Sequence, residues 1–233
     1  MRYLGLGALN KAEFLNCGGR DLVEKLPGQM RITHGDHLTA AAVVETVLQL
    51  RQDKIFMTGA TSKTGRAVAL GLLLRGVKVL CHSTSCERRG DLERHGLATT
   101  SELSDGHGCS LWIVGKYDVA VNKVMPPGAT ACVFAVPNPV SRADIVVCEG
   151  ATLHLDETRL EGRRANLKLA AHEIYACNAA ALLFAWKQGD EDDVDAIDPT
   201  TLHIYMEEAK AMGLCLPKPA PIRIFPDLPA EAA

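Results

Sequence analysis

The sequence has no C-x-x-C pair, no apolar stretch long enough for a membrane helix, no internal repeat and no marked excess of one charge. Its eight cysteines are scattered through a chain of 233 residues. That is not the dense spacing of a small disulfide scaffold, so reduced thiols in a cytoplasmic setting are the expectation. The longest apolar run, Ala179 to Trp186, falls far short of the ~20 residues that a spanning helix needs. Residues 1–14 carry no apolar signal core, so no membrane-spanning segment is expected. With 25 basic and 28 acidic side chains the net charge is −3, too little to draw in nucleic acid, and no nucleic-acid partner is expected. A composition that is 47% hydrophobic and 23% charged is that of an ordinary globular protein and excludes disorder and fibrous repeats.

Residues 1–28 read as a helical opening segment closed by Leu26-Pro27-Gly28. Met30 to Thr33 is a short strand candidate. Asp36 can cap a helix whose apolar positions Ala40, Val43, Val44, Val47 and Leu48 repeat at helical spacing. A β-turn-α-β unit follows: strand Ile55-Phe56-Met57, a turn of small residues from Thr58 to Gly65, helix Arg66 to Arg75, Gly76 as its stop, and strand Val77 to Leu80. Such crossovers are right-handed and make their strands parallel. Leu111 to Val114, Cys132 to Val136 and Ile145 to Val147 extend the sheet. The expected fold is therefore α/β, a Rossmann-like doubly wound, mostly parallel sheet with helices on both faces, spanning residues 29–216. A helix from about Arg164 to Lys187, a second one opened by Asp198-Pro199 and stopped by Gly213, and a proline-rich tail over 217–233 complete the reading.

Chemistry concentrates at Thr58-Gly59-Ala60-Thr61-Ser62-Lys63-Thr64-Gly65, where a first strand hands over to a first helix. A tight turn with bare backbone lets a pyrophosphate approach the amides and the positive end of that helix. Ser62 stands where the T-G-x-x-G-x-x-G turn of short-chain dehydrogenases has its middle glycine, which permits binding only if φ stays negative there. The other reading is a glycine-rich turn that binds nothing. No G-K-[ST] follows, so this is not a Walker loop. Beyond the second strand, Cys81 to Cys86 offers no carboxylate for ribose hydroxyls. Ser83 and Arg88, with Arg89 beside it, would instead welcome a 2′-phosphate, which points to NADPH unless the arginines are a solvated face. The four tyrosines are followed four residues on by Gly7, Val121, Ala179 and Ala209. The Y-x-x-x-K acid–base pair of short-chain dehydrogenases is thus missing.

Leu9-Asn10, the segment Arg31 to Val47, Gly59 to Lys63, Trp112-Ile113-Val114-Gly115-Lys116, Pro126-Pro127-Gly128, Ala176-Cys177 and Ala196-Ile197-Asp198 resemble the C-terminal domain of plant very-long-chain aldehyde decarbonylases, the eceriferum proteins of wax synthesis. More distantly, the glycine turn, Thr33 to Val47 and the Ala176-Cys177 helix are similar to long-chain acyl-[acyl-carrier-protein] reductase. That resemblance implies an NADPH-dependent reduction of a long-chain acyl thioester, carried by coenzyme A or a carrier protein, to a fatty aldehyde through a thioester on Cys177. It also implies substrate contacts from Asp36 and Thr39. The histidine clusters of the plant proteins' membrane domain are not in this chain, so the resemblance implies a membrane-bound di-iron subunit as partner and a peripheral location at the endoplasmic reticulum through it. A non-catalytic nucleotide-binding partner domain is the alternative.

Read from the residues alone, Cys177 fits better as a small apolar member of a buried stripe, and only the resemblance brings the nucleophile reading level with it. As a nucleophile it needs help from outside its helix, where Glu173 would oppose ionisation and His172 points away. His34, His37 and Lys116 are the available helpers. Lys116, at the end of a parallel strand, points toward the crevice where such sheets bind ligands. His34 and His37 form an H-x-x-H pair, but with no further ligand at metal spacing the expectation is that the chain holds no metal.

Overall fold

The computed structural model describes residues 2–6, 17–155, 169, 172–194 and 196–217. In chain order the strands are β1 (Tyr3–Gly5), β2 (Arg31–Thr33), β3 (Ile55–Thr58), β4 (Val79–His82), β5 (Ala98–Thr100), β6 (Leu111–Val114), β7 (Thr130–Val133), β8 (Val146–Glu149), β9 (Thr152–Leu155), β10 (Glu173–Tyr175) and β11 (Leu214–Cys215). The α-helices are α1 (Arg20–Lys25), α2 (Asp36–Leu50), α3 (Lys63–Leu73), α4 (Cys86–Arg94), α5 (Val121–Val124), α6 (Ala176–Trp186) and α7 (Leu202–Met212).

Six strands form one wholly parallel sheet in the order β5-β4-β3-β6-β7-β8. The chain builds outward from β3 in one direction, then returns to β6 and builds in the other, which is the doubly wound order. All residues of β3 and of β6 are buried, as expected of parallel strands covered on both faces. Alternation divides their side chains. Ile55, Met57, Leu111 and Ile113 join a core with α2, α3, α6 and α7, while Phe56, Trp112 and Val114 face α5. This is the Rossmann-like architecture that the strand pattern predicts.

Two smaller sheets flank it. β1 pairs in parallel with β2, and β10-β9-β11 is an antiparallel ribbon. Residues 3–5 are therefore extended where the opening segment reads as helix, because the ladder to Arg31–Thr33 supplies backbone partners that a local helix would otherwise have to provide. The proline-rich stretch from Lys218 onward and Leu9-Asn10 lie outside the described residues.

The larger departure concerns the helix expected from Arg164 to Lys187. Glu173–Tyr175 is a strand paired with Thr152–His154, and the helix begins only at Ala176. Ile174 and Tyr175 favour a pleated surface, and the Ala176 amide donates to the Ala151 carbonyl at 2.7 Å. Residues 164–168 lie outside the described residues. At the far end, Asp198 accepts from the Thr200 amide at 2.8 Å in a local turn. α7 consequently starts at Leu202 rather than beside Pro199, and Gly213, at φ 96°, closes it as expected.

Candidate functional site

The glycine turn leaves the carboxyl end of β3 at the point where strand order reverses. Gly59 has φ +81°, and a Cβ there would lie 2.6 Å from the Gly115 carbonyl carbon and 2.9 Å from the Lys116 nitrogen. The turn is thus pressed against the segment leaving β6, at the switch point where open α/β sheets bind ligands. A Cβ on Gly65 would sit 2.1 Å from the Gly59 oxygen, so the helix start and the turn close on one another only without side chains. Ser62 meets the condition set on it: its φ is −77°, and it is the N-cap of α3. Its hydroxyl accepts from the Gly65 amide at 3.0 Å and donates to the Gly59 carbonyl at 2.9 Å. Ala60 is buried and Thr61 half-buried beneath the turn. The Thr64 amide, in the first turn of α3, has no carbonyl of its own helix to meet. A bare-backbone turn at a helix N-terminus has the chemistry that accepts a pyrophosphate.

At the end of β4 the two arginines behave differently. Arg89 donates to the Ser83 carbonyl at 2.7 Å, whereas Arg88 is exposed on the first turn of α4. The guanidinium that borders Ser83 therefore belongs to Arg89, a residue that spacing alone does not distinguish from its neighbour.

A second group gathers around Gly35. This residue, at φ +68°, is the N-cap of α2, and Asp36 is the first helical residue, with no side-chain cap bond made by the N-cap. Asp36 is therefore not the cap that the spacing suggests, because the left-handed turn that closes the helix requires glycine. A Cβ on Gly35 would lie 2.8 Å from Cys177 Cα, so the backbones carrying Asp36 and Cys177 touch. Thr39 is buried, and its hydroxyl donates to the Gly35 carbonyl at 2.9 Å, a local bond within the helix.

Cys177 is the second residue of α6 and is half-buried, its thiol 3.8 Å from Asn178 Oδ1. The shortened helix changes its surroundings. Glu173 is a strand residue and not a helical i−4 neighbour, and the thiol lies in a first turn, beside the positive end of the helix dipole. Tyr175, next to it, has its hydroxyl pKa raised by burial and by the negative charges of Glu149, Cys177 and Glu173. Among the other cysteines, burial pushes the Cys81 thiol up to about 12.

α2 packs against α3 on one side and α6 on the other, on one face of the sheet. Both α2 and α3 lead into or out of parallel strands, so their N-termini lie at the sheet's carboxyl edge, with Gly35 and the glycine turn. Cys177, in backbone contact with Gly35, is there as well. The structure thus brings Gly59 to Gly65 together with Lys116, and Asp36 and Thr39 together with Cys177, along one edge and one face. Ser83 and Arg88 form a separate flank. Lys116 itself is exposed.

Sequence reading passed over Asp193, which lies in the acidic run Asp190 to Asp193. Its main chain bridges Thr33, and its carboxylate accepts from the Thr33 hydroxyl at 2.6 Å. Burial alone would raise this carboxyl, but His37 and Thr33 hold it below its ordinary value. A run of four acids carries no signal of which member turns inward.

Comparison with known proteins adds the lineage. The chain is 32% identical over 223 residues to the very-long-chain aldehyde decarbonylase GL1-1 of Oryza sativa subsp. indica, covering 91% of this chain and 36% of the rice protein. By sequence it is a relative of that plant decarbonylase family. GL1-2 of the same subspecies is 30% identical over 224 residues, 92% of this chain and 36% of its own length. GL1-7 of Oryza sativa subsp. japonica is 36% identical over 210 residues, 86% and 32%. The chain thus spans only about a third of the length of these decarbonylases. No family model matches. Among solved structures, Bacillus subtilis yhfP with NAD bound has a TM-score of 0.37 at 17% identity, covering 48% of this chain and 42% of that one. AibC has 0.38 at 16%, covering 77% and 58%. No helix among the described residues is long and apolar enough to cross a membrane.

Proposed function

We propose that this decarbonylase relative is an NADPH-dependent reductase that converts long-chain acyl thioesters, acyl-CoA or acyl-carrier protein, to fatty aldehydes in wax and alkane metabolism. The observation that carries this reading is the position of Cys177: first turn of α6, on the same sheet edge and face as the Gly59 to Gly65 cradle. The Cys177 sulfur attacks the thioester carbonyl, forming an S-acyl bond and breaking the bond to the carrier, whose thiolate takes up the proton released from Cys177. Gly59, Ala60, Thr61, Ser62, Lys63 and Gly65 would hold the dinucleotide, which when bound would supply the hydride that the acyl carbon accepts. Lys116 offers a positive charge to the developing oxyanion. The tetrahedral species then expels the Cys177 thiolate, and the aldehyde leaves. Asp36 and Thr39 border the acyl group through the Gly35 contact, and Ser83 with Arg89, rather than the exposed Arg88, receives the 2′-phosphate. Exposed Tyr117, Val119 and Val136, on loops leaving the carboxyl ends of β6 and β7, offer apolar surface to a long chain.

The test is covalent. Intact-mass measurement after incubation with a long-chain acyl-CoA should show one acyl adduct on the wild type and none on Cys177→Ala; equal labelling of both proteins, or labelling of neither, removes the mechanism. Calorimetry with NADPH and NADH tests the cofactor, and tighter NADH binding overturns the phosphate argument.

The missing Y-x-x-x-K acid–base pair favours a second reading, a non-catalytic nucleotide-binding partner of a membrane-bound di-iron subunit. That reading expects NADPH binding without any adduct, and a cytoplasmic protein recruited to the endoplasmic reticulum through that subunit.

A further inference from the structure

β2 ends at Thr33, and the chain then turns into α2 through His34, Gly35 and Asp36 before His37. His34 is wholly buried, and its Nδ1 accepts the Asp36 amide at 3.0 Å, which sets the plane of the ring. The His34 and His37 rings lie 5.4 Å apart and nearly parallel, 12° between planes. Asp193, brought in by its bridge to Thr33, completes a cluster. One ligand-capable atom from each of His34, His37 and Asp193 lies within 4.8 Å of the others.

The geometry inside the cluster is unusual for a plain ion pair. His37 Nδ1 is 2.9 Å from Asp193 Oδ1. Among the described residues this buried nitrogen makes no well-aligned hydrogen bond, although the oxygen is within hydrogen-bond distance. A nitrogen and a carboxylate oxygen at this separation can occupy neighbouring positions on one ion as well as share a proton. The surroundings are those of a ligand set as well. The Thr33 hydroxyl holds Asp193 Oδ2 and so turns Oδ1 toward His37, and the Tyr205 ring stacks on His37 at 4.8 Å and 9°. Outer groups that fix ring planes and carboxylate orientation are what metal sites require.

We propose that His34, His37 and Asp193 bind one divalent transition-metal ion, of the Zn2+ type, in a two-imidazole, one-carboxylate site. Three protein ligands of this kind suit Zn2+ and its first-row neighbours and leave a coordination position for water or another ligand. The ligands must close by roughly an ångström to reach bonds of about 2.0–2.2 Å, a movement within the range of side-chain rotation. Gly35, between the two histidines, touches the Cys177 backbone, but metal binding here does not depend on the covalent chemistry of Cys177.

The full-length chain, freed of metal with a chelator, is dialysed against Zn2+ and its metal content measured. Wild type should retain one Zn2+ per chain and melt at a higher temperature with the ion. His37→Phe keeps the stack on Tyr205 without a ligand, and Asp193→Asn keeps the bond from Thr33. Each should weaken retention by about tenfold or more. His154→Phe, in the separate cluster of His154, His172 and Glu173, should change nothing. Failure of wild type to retain the ion, or equal retention by both site variants, overturns the proposal. Should the variants not fold, the Co2+-substituted wild type decides: it should show the visible d–d bands of bound cobalt without a thiolate-to-cobalt charge-transfer band in the near ultraviolet, and loss of the first or presence of the second overturns the site.

Discussion

A Cβ built on Gly35 would lie 2.5 Å from the Cys177 carbonyl oxygen, so the first turns of α2 and α6 meet backbone to backbone at a residue with no side chain. Gly35→Ala meets both a positive φ and this contact. It should destabilise the fold by about 1–3 kcal/mol and displace the Cys177 helix. Urea denaturation measures the first effect, and loss of the acyl adduct at temperatures where the variant is folded measures the second.

Gly59→Ala places a methyl group against Gly115 and Lys116 at φ +81°. NADPH affinity by calorimetry should fall at least about tenfold, equivalent to roughly 1.4 kcal/mol. Ser62→Gly, which restores the usual glycine but deletes the side-chain cap of α3, should keep nucleotide binding and cost only about a few tenths of a kcal/mol in stability.

Arg89→Ala should reduce the preference for NADPH over NADH more than Arg88→Ala does, because Arg89 reaches back to Ser83 while Arg88 is exposed. Calorimetric affinities of the two variants for both nucleotides give the comparison, and the reverse order restores Arg88 as the phosphate ligand.

Trp112 is fully buried, and its indole N–H has no hydrogen-bond partner among the described residues. Trp112→Phe removes an unsatisfied donor while keeping most of the ring, so it should change stability by less than about 1.5 kcal/mol. Trp112→Ala should cost about 3–5 kcal/mol. Denaturant midpoints of the two variants test the contrast.

Burial lifts the Cys81 thiol to about 12, above an unfolded value of about 8.5. A raised folded pKa means the neutral thiol is favoured by the fold. That contribution is complete below the unfolded value and is lost as pH rises toward the folded one. Urea midpoints should therefore fall between pH 8 and alkaline solution, with a shallower decline in Cys81→Ala. At pH 8 Cys81 should resist alkylation while the exposed Cys86 and Cys215 react.

The central βαβ unit was legible because its signals are local: a fully apolar strand, small residues in the turn, and Gly76 beyond the helix. The start of α6 was not. Alanine-rich residues around Cys177 have high helix propensity, and although Ile174 and Tyr175 suit a strand, the β9 partner that captures Glu173–Tyr175 is far off in sequence. The same holds for Asp36, whose capping chemistry is real but whose place was taken by a glycine that the Cys177 backbone requires.

What the sequence by itself determined is the class of fold and the chemistry of the turn after β3, since hydrophobic periodicity and glycine placement act over a few residues. What only the tertiary structure decided is which distant groups meet: Gly35 with Cys177, and Asp193 with His37 across most of the chain. These depend on how β1, β2 and α2 fold back over the sheet. That arrangement is set by burial of whole helix faces rather than by any pattern readable in the segments themselves.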